Sequence, residues 1–114
     1  MIRKLVTAAA VLAALTITAF AGDPIEGNWK RPNGTLIKFQ PCGAEFCAIV
    51  QTGEHKGKKA GAMSGTGGRY KGSLTDLAIN KTYKGKASLS GTNLKMSGCV
   101  LGGLACKTEN WVRQ

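Results

Sequence analysis

The sequence predicts an all-β fold: a small antiparallel β-barrel or meander of about seven to eight strands. Three observations carry that prediction. Past residue 21 no apolar stripe recurs at helical spacing; β-branched and apolar runs alternate instead with Gly, Asn, Ser and Pro turn signals, about every ten residues. Side chains alternate within those runs, as in Thr35 to Gln40, where Ile37 and Phe39 share one face and Leu36, Lys38 and Gln40 the other. The length, 114 residues before any processing, allows one small domain.

The N-terminus is a separate matter. Met1-Ile2-Arg3-Lys4 is a short basic start, Leu5 to Phe20 an apolar run, and Ala19-Phe20-Ala21 a small-x-small cleavage site. Residues 1–21 therefore read as a signal peptide helix cleaved after Ala21, and residues 22–114 as a single domain; the competing reading is an uncleaved membrane anchor. The segment holds Arg3 and Lys4 and no acid, so its removal leaves 93 residues and takes the net charge from +10 to +8.

The elements follow in order. Ile25 to Lys30 and Thr35 to Gln40 form a hairpin across Arg31-Pro32-Asn33-Gly34, since Asn-Gly tolerates the positive φ of a tight turn. Pro41-Cys42-Gly43 turns the chain into Phe46 to Thr52. Gly53 to Gly68, rich in Gly, Lys and Ser, reads as a mobile loop. Strands return at Arg69 to Leu74, Thr82 to Leu89, Asn93 to Val100 and Lys107 to Val112, with Ser90-Gly91-Thr92-Asn93 as a turn. In Thr82 to Leu89 the inward set is Tyr83, Gly85, Ala87 and Leu89; its small members let a sheet curl tightly enough to close.

A domain this size buries only about 60 to 65 % of its unfolded surface, so covalent staples matter. The four cysteines fall into two local pairs, and export favours disulfides Cys42 with Cys47 and Cys99 with Cys106. Each loop contributes roughly 2 to 2.5 kcal/mol by the chain-entropy relation. A four-cysteine zinc site is the alternative, although neither pair has the tight spacing of a zinc knuckle.

The chain is poor in catalytic groups, and no catalytic residue, metal or cofactor is expected. His55, the only histidine, sits beside Glu54 in the glycine-rich stretch and lacks triad or ligand partners. A paired-carboxylate site is left only Glu54, Asp76 and Glu109, and nothing in the sequence places two of them together. Gly65-Thr66-Gly67-Gly68 lacks the Gly-Lys-Ser/Thr ending of a phosphate loop.

Charge suggests partners instead. Lys56, Lys58, Lys59, Arg69, Lys71, Lys81, Lys84, Lys86 and Lys95 dominate the middle of the chain, where the aromatics are only Tyr70 and Tyr83. That is a thin stacking platform, and export removes most nucleic-acid partners. A +8 domain is drawn instead to an anionic envelope lipid or lipopolysaccharide, with peripheral membrane contact at most, or its charge merely keeps it soluble. Tyr70, Tyr83, Arg69 and Lys71 are the candidate contacts for such a component or a small ligand. The expectation is non-enzymatic binding; the alternative is a protein-interaction module, an inhibitor or envelope-stress factor presenting the 53–68 loop.

Gly27-Asn28-Trp29 and Trp111-Val112-Arg113 resemble the paired ends of lipocalin-like barrels. The resemblance implies that Trp29 plugs one barrel end with Arg113 over its ring, a closure worth about 0.5 to 2 kcal/mol. Those ends, with Ile25-Glu26, the Cys42-Gly43 to Cys47 loop, Asp76 followed by Asn80 to Gly85, and Leu94 to Cys99, resemble the DUF2147 family, small exported bacterial proteins of uncharacterised function. This second resemblance runs from about Asp23 to Arg113. It implies a periplasmic or secreted lipocalin-like barrel and carries over no catalytic residue. One departure stands out: Asp76 is followed by Leu77, where many members have proline. In a bacterial protein the sequons Asn33-Gly34-Thr35 and Asn80-Lys81-Thr82 are turn residues, not glycan sites.

Overall fold

The computed structural model describes residues 22–114, so the signal-peptide expectation for residues 1–21 lies outside the described residues. Eight strands follow one another: β1 Gly27–Lys30, β2 Leu36–Cys42, β3 Glu45–Val50, β4 Lys59–Thr66, β5 Arg69–Asp76, β6 Lys81–Ser90, β7 Asn93–Val100 and β8 Ala105–Arg113. Each pairs antiparallel with the next, and β8 returns to β1, which closes the barrel. A single 3-10 turn, Leu101–Gly103, joins β7 to β8.

Alternation builds the core as the sequence predicts. Ile37 and Phe39 of β2 are buried while Lys38 and Gln40 face water, and Gly85 and Ala87 of β6 point inward between exposed Lys84 and Lys86. The inward side chains of β1, β2, β4, β7 and β8 meet as Trp29, Phe39, Met63, Leu94 and Trp111. Turn chemistry holds the tips. Asn33 Oδ1 accepts the Thr35 N–H at 3.0 Å, and Asp76 Oδ1 accepts the Ala78 N–H at 3.0 Å. With Asn80 in the left-handed region (φ 51°), the Asp76 carboxylate shapes the β5–β6 turn without a proline.

Two expectations are corrected. Pro41 and Cys42 belong to β2, opposite Phe46 and Glu45, and the chain turns only at Gly43 and Ala44. More consequentially, the stretch Gly53 to Gly68 is not a mobile loop: β4 occupies Lys59–Thr66 and is paired on both sides, leaving only residues 51–58 between β3 and β4. The two glycines of β4 answer close approach, not looseness. A Cβ at Gly61 would lie 2.5 Å from the Ser73 carbonyl oxygen, and one at Gly65 2.1 Å from that of Arg69.

The same requirement governs the neighbouring strands. Gly72, Gly85 and Gly98 stand directly opposite one another on β5, β6 and β7. A Cβ at Gly72 would come within 2.0 Å of the Ala62 carbonyl oxygen; at Gly85 it would meet Leu74 Cγ at 2.9 Å and Met63 Sδ at 3.3 Å. The row of bare backbone bends the wall and leaves the volume that Met63 and Leu74 enter.

Both local disulfides form, Cys42 with Cys47 across the β2–β3 tip and Cys99 with Cys106 across the β7–β8 tip. No cysteine is left free, so the zinc alternative loses its thiolates. Such bonds belong to an oxidising compartment.

Gly72→Ala is expected to cost about 3 kcal/mol of unfolding free energy, because the added carbon must displace backbone. Gly91→Ala, at φ 60° with nothing within 4 Å of the new carbon, should cost about 1 kcal/mol for its left-handed conformation alone. Urea unfolding of the two variants measures both.

Candidate functional site

Successive turns of an antiparallel barrel alternate between its ends, and here the ends differ. The first is sealed by the N-terminal segment. Trp29 is fully buried and its indole N–H donates to the Ile25 carbonyl at 2.9 Å. The Arg113 guanidinium lies 4.1 Å over the Trp29 ring and donates to the carbonyls of Glu26, at 2.9 Å, and Pro24. Asp23 accepts hydrogen bonds from the Tyr70 hydroxyl and from the N–H groups of Ile25 (3.1 Å) and Gly67 (3.3 Å), tying the entering chain to the β4–β5 turn. The Gly68 N–H donates to the Tyr70 hydroxyl at 3.1 Å. Burial, aided by the hydrogen bond to Asp23, pushes the Tyr70 phenol up to about 12.

The other end is hollow. A cavity of about 500 Å³ opens between the β1–β2, β3–β4 and β5–β6 turns. Ile37, Val50, Met96 and Trp111 supply buried apolar wall, Leu74 a half-buried one, and Asn33, Thr52 and Lys107 an exposed polar rim. The volume falls within the roughly 300 to 1,000 Å³ of small-molecule sites. Arg31 grips Glu109 with two hydrogen bonds of 3.0 Å, and the Trp111 indole N–H donates to the same carboxylate at 2.9 Å. Burial opposes charge on Glu109, but these donors, with Lys107 nearby, outweigh it and hold the carboxyl below its ordinary value. His55 also lines the cavity, and its Nδ1 is buried with no hydrogen-bond partner among the described residues.

The four candidate contacts do not form one site. Tyr70 lies between Arg69 and Lys71 on a strand, so it must face the opposite way: its side chain is buried at the sealed end while theirs are exposed on the outer wall. Tyr83 lines the hollow mouth opposite Leu74. Arg69 and Lys71 instead join Lys86 and Lys95, with Ser64, Ser88 and Ser97, in a shallow basic groove of about 560 Å³ across β4 to β7.

What sequence reasoning missed is the mouth. Arg31, Met96 and Trp111 had no binding role assigned, and the neighbours Glu54 and His55 line one cavity with the distant Asp76 and Glu109. The inward alternation of β8, Lys107, Glu109, Trp111 and Arg113, was the available signal. No group of three His, Cys, Asp or Glu side chains among the described residues is arranged to hold a metal ion.

Tyr70 gives a pH test. Its folded pKa lies above the unfolded value of about 10, so its contribution to stability is complete below that pH and is lost as pH rises toward 12. Denaturant midpoints should therefore fall between those pH values in the wild type and fall less steeply in Tyr70→Phe.

No match was found among curated proteins or solved structures. A family model, described as "Uncharacterized protein conserved in bacteria (DUF2147)", matches residues 60–113, from the second residue of β4 to the end of β8. The matched segment holds the glycine row, the Cys99–Cys106 disulfide and Arg113, while Ile25 to Trp29 and the Cys42 to Cys47 loop lie before it. Through these five strands the chain is similar to the DUF2147 family.

Proposed function

We propose that this protein is a non-enzymatic binding barrel of the bacterial envelope, periplasmic or secreted, that holds a small amphiphilic molecule in its mouth. One observation carries the proposal: an eight-strand barrel sealed at one end keeps about 500 Å³ of partly apolar space at the other. The chemistry of the wall fits an apolar body lying against Trp111, Ile37 and Met96, with a polar head at the rim near Lys107 and the unpartnered Nδ1 of His55. Arg31 and Glu109 neutralise each other and fix the Trp111 indole, so the aromatic wall is preorganised. The basic outer groove and the net positive charge favour an anionic environment around the protein. An interaction module built on the 53–68 loop is disfavoured because β4 leaves only residues 51–58 to present.

The probe 1-anilinonaphthalene-8-sulfonate, an amphiphile with an anionic head, tests the cavity. Its emission should rise to saturation with one site per chain and quench tryptophan fluorescence through Trp111. Ala60→Phe, which places a ring in the mouth, should weaken that binding at least about tenfold while leaving the thermal midpoint near wild type. Emission that stays at its buffer value, or binding that Ala60→Phe leaves intact, would remove the mouth as the site.

A further inference from the structure

We propose that the hollow end of the barrel is a docking surface for an anionic phospholipid bilayer, with Leu101, Leu104 and Ile79 as the inserting side chains. Four large hydrophobic residues are exposed among the described residues: Leu104 by 90 %, Leu101 by 74 %, Ile79 by 63 % and Val112 by 45 %. The first three sit in just two turns, β5–β6 and β7–β8, and both are at the mouth. Strands β6 and β7 are paired, so the two tips stand side by side. The turns of the sealed end carry Gly43-Ala44, Gly67-Gly68 and Gly91-Thr92 instead. The apolar exposure is therefore polarised along the barrel axis.

The β7–β8 tip is also built in a way that solubility does not require. Leu101 adopts φ 53°, where a branched, bulky side chain is strained, and Gly102 and Gly103 beside it already supply positive φ. Leu104 closes the turn by donating its N–H to the Leu101 carbonyl at 3.2 Å, and the Cys99–Cys106 disulfide clamps its base. Two leucines are thus held out in water on a preorganised loop, which lowers the entropic cost of insertion. Exposed apolar residues that serve nothing in the fold mark a contact surface.

Charge selects the partner. Lys56 and Lys58 of the β3–β4 connection, Lys59 at the start of β4, Lys81 at the start of β6 and Lys107 near the start of β8 gather at this same end and outnumber Glu54 and Asp76 there, Glu109 being paired with Arg31. Apolar fingers ringed by lysines suit an interface of acyl chains beneath anionic head groups. Docking in this orientation would place the mouth against the bilayer. That last consequence rests on the ligand-binding reading above; the docking itself does not.

Co-sedimentation of the signal-free protein with vesicles of phosphatidylglycerol and phosphatidylethanolamine tests the proposal, with phosphatidylcholine vesicles as the uncharged control. Wild type should bind the anionic vesicles and keep a residual fraction bound at high salt, where head-group attraction is screened but insertion is not. The pair Leu101→Asn and Leu104→Ser, chosen because Asn tolerates the left-handed region, should lower partitioning about tenfold or more and abolish the salt-resistant fraction. Replacing Arg69, Lys71, Lys86 and Lys95 with Gln removes the charges of the outer groove and should change binding by no more than about threefold, since that wall points away from the surface. Unaltered binding by the leucine pair, loss of binding with the outer-groove variant, or no binding of wild type to anionic vesicles would each overturn it. Ala60→Phe keeps the two proposals apart: it should lose the fluorescent probe and still sediment with vesicles.

Discussion

The backbone contact across Gly72, Gly85 and Gly98 is the constraint on which the rest of the molecule depends. A short chain closes eight strands only if part of the wall curves more sharply than side chains allow, and here three successive strands give up their side chains on one rung. Met63 and Leu74 enter the space so created, which fixes where the core is solid. What they leave unfilled continues, past Gly98, into the mouth. The hollow and the closure have one cause.

The two ends divide the work of the fold. At the sealed end, the Arg113 guanidinium lies over the Trp29 ring and donates to the entering segment, whose Asp23 in turn accepts from Tyr70 and the β4–β5 turn, all short-range, directional contacts. The open end has fewer such ties. Its Arg31, Glu109 and Trp111 cluster holds one side of the rim, and its β7–β8 tip has a disulfide. Stability concentrated at one end permits a site at the other, since a cavity lowers packing density where it lies.

The fold was largely legible because alternation is a local property: Ile37 and Phe39, or Gly85 and Ala87, declare their face without knowledge of the partner strand. Paired cysteines close in sequence were legible for the same reason. β4 was not, because glycine and lysine composition is the usual mark of a loop, and only the approach of Ser73 and Arg69 backbone shows why Gly61 and Gly65 are there. How the candidate contacts are placed was hidden for a different reason. Arg69, Tyr70 and Lys71 look like a cluster in sequence, yet the pleat divides them between the core and the outer wall. The mouth joins residues from Arg31 to Trp111, and such a convergence follows from strand register, which local pattern leaves open.

The junction of β1 with β8 is the shortest in the barrel: Trp29 opposite Arg113 and Lys30 opposite Val112, against eight paired positions between β5 and β6. It also joins the two ends of the domain, whereas every other pairing links neighbours in the chain. Seven hairpin contacts can thus form with small loop-closure entropy, and the circle is completed last, by the partners of greatest sequence separation. Assembly accordingly resembles rolling a sheet and fastening its edge, with the cation over the Trp29 ring acting as the fastener. Until that edge is fastened, β1 and β8 are free strand edges, and the folding chain passes through a stage open to pairing with its own copies.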